Sequence, residues 1–170
     1  ENAGKIWNFN VAPVDPCDDW QGITCESISN NTQVVNTLNL YEYNLTGTIP
    51  ESISNLTYLS MLILSQHFIG GKIPQSLCSF QYLQYVGISD NRLVGPIWNC
   101  TFQNLTALYF ISITNNLLTG RLPDFSSALQ NLTVISLYEN KLVGPIPQSI
   151  ASLPSLERLY LGYNLLSGTV

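Results

Sequence analysis

Four cysteines and six Asn-x-Thr sequons are the residues whose types and spacing bear most directly on chemistry. The cysteines are even in number and fall into two pairs close in sequence, Cys17 with Cys25 and Cys78 with Cys100. The sequons lie at Asn30, Asn44, Asn55, Asn99, Asn104 and Asn131, each an acceptor for N-linked glycan. Paired cysteines and many sequons in one short chain point to an oxidising, secreted setting, extracellular or at the cell surface. Zinc is the competing reading of Cys17 and Cys25. It fits poorly, because no Cys-x-x-Cys spacing occurs and the single histidine, His67, is far along the chain.

The elements that position these residues form a repeat. The cleanest copy is ISLYENKLVGPIP, from Ile135 to Pro147, and its glycine recurs as Gly47, Gly71, Gly95, Gly120, Gly144 and Gly168, spaced 24, 24, 25, 24 and 24 residues apart. The apolar alternation before each glycine stays in register: Leu38/Leu40, Leu62/Leu64, Val86/Ile88, Ile111/Ile113, Ile135/Leu137 and Leu159/Leu161. A fixed period of this length is the signature of a solenoid. Each alternating pair predicts a short strand, and stacked copies predict a parallel sheet.

Composition agrees with one such domain. Hydrophobic residues make up 45% of the chain, enough to bury a core, whereas charged residues make up only 10%, well under the roughly 25% usual in globular domains. Asn, Ser, Thr and Tyr must therefore cover the surface. A net charge of −5 with six scattered Lys and Arg makes no basic stripe for nucleic acid. No apolar run approaches the ~20 residues of a membrane span, and no leader pattern stands at Glu1. The expectation is a mature, soluble segment that meets a membrane only through a segment not present in it.

Residues 1–33 do not fit the repeat, while 34–170 hold about six copies. The first segment contains Trp7 and PCDDWQGITC, from Pro16 to Cys25. A solenoid needs a terminal cap to cover its apolar end, and Trp7, Trp20 and Ile23 are placed to do that, with a Cys17–Cys25 bond pinning the piece. The last copy, from Leu156 to Val170, stops where Ile-Pro is due, and no closing cap follows it.

The run from Trp7 through PCDDWQGITC resembles the N-terminal cap of plant-type extracellular leucine-rich repeat proteins, and the units after it are similar to that family's LxxLxLxxNxLxGxIPxxLxxLxx repeat. The resemblance implies an α/β solenoid: a leucine-rich repeat right-handed superhelix with a parallel sheet on its concave face and few true helices. It also implies that Cys78 and Cys100, in SLC and on the back of the next repeat, clip neighbouring coils. Asn91, Asn116, Asn140 and Asn164 form the family's asparagine ladder, whose amides satisfy backbone groups at the bend. Tyr43 and His67 occupy the ladder in the first two repeats, and Trp98 stands where a proline is expected. Trp98 either meets a glycan or partner or fills the convex side, and the second is favoured.

Catalysis is not expected. One histidine excludes most His-dependent constellations. Glu42, Asp90 and Glu139 recur two coils apart, about 10 Å by the strand spacing, near the upper limit for a glycosidase pair, but a solenoid sheet gives them no cleft. No metal and no cofactor other than N-linked glycan is implied.

Recognition remains. Outward strand positions form three columns: Thr37, Met61, Tyr85, Phe110, Val134, Arg158; then Asn39, Ile63, Gly87, Ser112, Ser136, Tyr160; then Tyr41, Ser65, Ser89, Thr114, Tyr138, Gly162. Aromatic side chains and Met are enriched in interfaces, so Met61, Ile63, Tyr85, Phe110, Tyr138, Arg158 and Tyr160 are the candidate ligand-binding residues. The expected function is a receptor-like module that recognises a protein or peptide ligand, with a co-receptor or neighbouring copies of itself as further partners. The alternative is a structural glycoprotein assembling end to end through its uncapped repeats. An inhibitor of cell-wall hydrolases is a third reading, made less favourable by the short array.

Overall fold

The structure is a computed structural model that describes residues 15–98, 100, 102–125 and 127–168. Trp7 of the expected cap and the sequon at Asn99 lie outside the described residues. The described chain opens on a one-turn helix, α1 (Pro16–Asp19), with Pro16 at its first turn and the Asp15 carboxylate accepting the Cys17 N–H at 2.8 Å. Strands β1 (Ile23–Ile28) and β2 (Thr32–Asn39) then form an antiparallel hairpin. Residue 33, the expected boundary of the cap, lies inside β2. The hairpin therefore joins the cap to the first coil of the solenoid.

From β2 onward the chain alternates between two surfaces. On the flank, in chain order, run β3 (Thr46–Thr48), β5 (Phe68–Gly70), β7 (Val94–Gly95), β9 (Leu117–Leu118), β11 (Val143–Gly144) and β13 (Leu165–Leu166). Between them run β4 (Met61–Ile63), β6 (Tyr85–Gly87), β8 (Phe110–Ser112), β10 (Val134–Ser136) and β12 (Arg158–Tyr160), which extend the hairpin into a seven-stranded sheet of order β1-β2-β4-β6-β8-β10-β12. Apart from β1, its pairings are parallel. The six coils carrying β2, β4, β6, β8, β10 and β12 are numbered 1 to 6 below.

The inward residues build the core as ladders. Leu62, Val86, Ile111 and Ile135 are aligned by strand register, and Leu59, Leu83, Leu108 and Leu132 form a second row; none is more than 1% exposed. Each such side chain contributes roughly 1.5–3 kcal/mol by leaving water. The repeat glycines turn each coil with φ between 74° and 110°. Pro50, Pro74 and Pro147 then hold extended backbone before the 3-10 helices Glu51–Asn55, Gln75–Ser79 and Gln148–Ser152 on the convex side.

Both disulfides have formed. Cys17–Cys25 ties α1 to β1, and Cys78–Cys100 ties adjacent coils. Trp98 is 4% exposed and meets Phe102 edge to face at 5.9 Å, with Phe102 stacked on Phe125 at 5.4 Å. Trp98 thus fills the convex side.

The asparagine ladder is the polar part of this interior. Asn116 Oδ1 accepts the Leu93 N–H at 2.9 Å, while its Nδ2 donates to the Ile88 carbonyl at 2.9 Å and the Thr114 carbonyl at 3.1 Å. Asn91, Asn140 and Asn164 repeat the pattern. In coil 2 His67 replaces it, its Nδ1 accepting the Leu45 N–H at 3.4 Å.

Candidate functional site

The concave sheet brings the outward columns together in the expected register. Thr37, Met61, Tyr85, Phe110, Val134 and Arg158 are paired strand to strand, as are Asn39, Ile63, Gly87, Ser112, Ser136 and Tyr160. The rings of Tyr85 and Phe110 stack at 4.3 Å with planes 2° apart, and Tyr109 meets Tyr85 edge-on at 6.2 Å. Gly87 makes this possible. A Cβ there would stand 3.0 Å from Tyr85 Cε1, so the missing side chain lets the ring lie along the sheet. Met61 pairs with Tyr85 in the neighbouring strand, and Ile63 with Gly87. Met61, Ile63, Tyr85 and Phe110 are half-buried and form one apolar platform.

Tyr138, Arg158 and Tyr160 do not join that platform. Tyr138 lies over Gly162, where a Cβ would be 3.2 Å from its ring, and meets Tyr163 at 5.0 Å. Arg158 and Tyr160 are exposed in coil 6. Between the two aromatic groups runs a strip of hydroxyls. Ser65 Oγ accepts the Ser89 N–H at 3.0 Å, Ser89 and Ser112 share a hydrogen bond at 2.9 Å, and Thr114 and Ser136 share another at 2.9 Å. Ser89 Oγ also accepts the Thr114 N–H at 3.1 Å. Sequence reasoning singled out the rings and missed this strip, although Ser and Thr recur in the second and third columns.

The phenols are held in the neutral form. Burial, with the Tyr109 phenol beside it, pushes the Tyr85 hydroxyl above its ordinary range. Burial, with Tyr163 and Glu139 nearby, does the same for Tyr138. They are hydrogen-bonding groups rather than charges at neutral pH. Of the carboxylates weighed for catalysis, Asp90 accepts a hydrogen bond from Asn115 Nδ2 at 2.8 Å. Among the described residues no group of three or more His, Cys, Asp or Glu side chains is arranged to hold a metal ion. None of the described helices is long and apolar enough to cross a membrane. The five described sequon asparagines are all exposed.

His67 gives a pH prediction. It is 5% exposed, and burial holds it below the ordinary histidine value of about 6.5, the nearby Leu40 and Gln66 backbone offsetting only part of that. The folded chain thus binds this proton less well than the unfolded chain. Stability from neutral His67 is complete above the unfolded pKa and falls as pH drops below it toward the folded value. Protonation would also remove the Nδ1 lone pair that accepts from Leu45. Thermal melts at pH 5 and pH 8 should show a loss at pH 5 that His67→Asn reduces.

A stacked parallel sheet, an asparagine ladder and turn glycines at a 24-residue period define a leucine-rich repeat solenoid. The leucine-rich repeat profiles match residues 104–166 and 35–56. The leucine-rich repeat ectodomain of the receptor kinase SOBIR1 from Arabidopsis thaliana superposes with a TM-score of 0.79 and 30% identity, over 90% of this chain and 85% of that one. The chain belongs to the plant-type extracellular leucine-rich repeat family. The Arabidopsis HAESA ectodomain, in complex with an IDA peptide hormone ligand, matches with a TM-score of 0.79 and 31% identity over 91% of this chain and 25% of that one. The nodulation receptor kinase of Pisum sativum is 43% identical over 53 residues, 30% of this chain. The chain spans 6% of that relative's length.

Proposed function

We propose that this chain is an extracellular recognition module of a receptor-like protein and that it binds a peptide or protein ligand on its concave face. The observation that carries this reading is the Tyr85–Phe110 stack, bedded on Gly87 and half-buried on the sheet face beside a strip of hydroxyls. A flat aromatic platform beside hydroxyl donors and acceptors suits an extended chain with both apolar and polar groups. Similarity to a peptide-bound receptor ectodomain supports the ligand class. The two disulfides support the extracellular setting. Glycan at the exposed sequons Asn30, Asn44, Asn55, Asn104 and Asn131 belongs to the same reading.

The test uses peptides selected from a displayed library against the folded chain. Phe110→Ala and Tyr85→Ala should each weaken their binding about tenfold or more, the loss typical of a central aromatic anchor. Tyr58→Ala, which removes an exposed ring stacked on Tyr82 away from the platform, should leave binding unchanged. Equal affinity for all three variants would place recognition elsewhere.

A further inference from the structure

Beside the concave face, two rows of exposed residues flank the asparagine ladder, one residue before it and one after. The row before it reads Glu42, Gln66, Asp90, Asn115, Glu139, Tyr163 through coils 1 to 6, and the row after it reads Asn44, Phe68, Arg92, Leu117, Lys141, Leu165. Over coils 2 to 5 the two alternate with a period of two coils. Coils 3 and 5 pair a carboxylate with a cation, and coils 2 and 4 pair an amide with an apolar side chain. All twelve positions are exposed, Leu165 at 64% and Tyr163 at 76%.

The backbone presents the first row uniformly. Glu42, Gln66, Asp90, Asn115, Glu139 and Tyr163 all have φ between 51° and 64°, so each coil turns the same way there. Neighbouring coils also steady the charges. Phe68 of coil 2 lies under the Arg92 guanidinium at 4.8 Å, and Asn115 of coil 4 donates to Asp90. Asp90, Glu139, Arg92 and Lys141 form no ion pair among the described residues.

We propose that this flank is a self-association surface whose occupant is a second copy of the same chain. Two copies placed flank to flank and pointing the same way, about a two-fold axis parallel to the solenoid, set each acidic row against the other's basic row, coil for coil. Asp90 then meets Arg92 of the second copy, Glu139 meets its Lys141, and symmetry doubles both contacts. The amides of coils 2 and 4 cover Phe68 and Leu117, and Tyr163 covers Leu165. A two-fold axis across the solenoid would instead oppose like with like.

The rows extend over five coil intervals, roughly 25 Å at about 4.8 Å per strand. A strip that long and two residues wide falls below the ~800 Å² per partner of a standard interface. The association is therefore weak and electrostatically steered. Asn44 lies at the coil 1 end of the basic row, so a glycan there would border the surface and leave coils 2 to 6 free.

Sedimentation equilibrium on the folded chain tests this, with unaltered protein and the Asn44→Gln variant both followed to several hundred micromolar. A monomer–dimer equilibrium weakened about tenfold or more by 1 M salt is expected. The acid-row variant Asp90→Lys/Glu139→Lys and the basic-row variant Arg92→Glu/Lys141→Glu should each be monomeric alone. Mixed one to one, they should form a heterodimer, because each acidic-made-basic row then faces a basic-made-acidic one. That recovery also shows that both variants are folded. Monomers throughout in unaltered and Asn44→Gln protein, or a dimer indifferent to both reversals, would overturn the proposal.

Discussion

Replacing Asn116 by Ala lowers the stability of the chain by about 1–3 kcal/mol, because the Leu93 N–H loses its acceptor and a donor buried unpaired costs that much. The carbonyls of Ile88 and Thr114 each lose one donor as well, but Ile88 keeps Asn91 Nδ2 at 3.5 Å and Thr114 keeps the Asp90 N–H at 2.9 Å. Asn116 is 5% exposed, so water cannot replace the amide without opening the coil. Its bonds also run to coil 3, so the loss is not confined to one repeat. In a solenoid, stability is close to a sum of repeat terms and nearest-neighbour interfaces. The Asn116→Ala transition should therefore split, with the coils on one side of the lesion melting before those on the other. Urea unfolding followed by tryptophan fluorescence and by far-ultraviolet circular dichroism should then give non-coincident midpoints, where the unaltered chain gives coincident ones. Asn116→Asp is the discriminating control. It keeps the acceptor for Leu93 but replaces the donor to Ile88 and Thr114, and should also destabilise, because a carboxylate facing two carbonyls is opposed by both.

The same ladder shows how far the sequence could be read and where reading stopped. Position, spacing and amide chemistry identified Asn91, Asn116, Asn140 and Asn164, because the bend needs one donor and one acceptor in a fixed place. The register of the concave columns was legible for a similar reason: the alternation has period two, and the strands pair as that alternation requires. The left-handed backbone at Glu42, Gln66, Asp90, Asn115, Glu139 and Tyr163 was not. These six positions carry five different residue types, and no glycine marks the turn.

The β1–β2 hairpin was missed although its signal was present. Asn30 and Asn31 both have positive φ, as a tight hairpin turn prefers, between two alternating runs. Read as part of a sequon, Asn30 masked its second use. Within the candidate site, the columns placed Tyr85 next to Phe110, but the flat stack depends on the absent side chain of Gly87 two residues further on. A column of outward residues shows which side chains share a face, not how each lies on it.

Trp98 shows the same limit at the convex side and carries the second large effect. It stands where other repeats have proline, and a consensus argument would predict that Trp98→Pro is neutral or stabilising. The packing argues the reverse. Trp98 and Phe102 meet edge to face and Phe102 stacks on Phe125, all three at most 4% exposed, in coils whose described residues on this side form turns instead of the 3-10 helices seen elsewhere. The aromatic cluster thus occupies the volume that Leu77 and Ile150 fill from helices in other coils. Phe102→Ala should cost about 3–5 kcal/mol, the range for truncating a buried aromatic residue, and Trp98→Pro should be comparably destabilising because proline cannot refill the space. The two losses overlap, since each removes the other's contact. The double variant Trp98→Ala/Phe102→Ala should therefore cost less than the sum of Trp98→Ala and Phe102→Ala measured separately, the mark of residues in direct contact. Urea midpoints for the four chains of that cycle decide it: strict additivity would mean that the rings are stabilised independently. A stable Trp98→Pro chain would mean that the convex side repacks around the consensus residue.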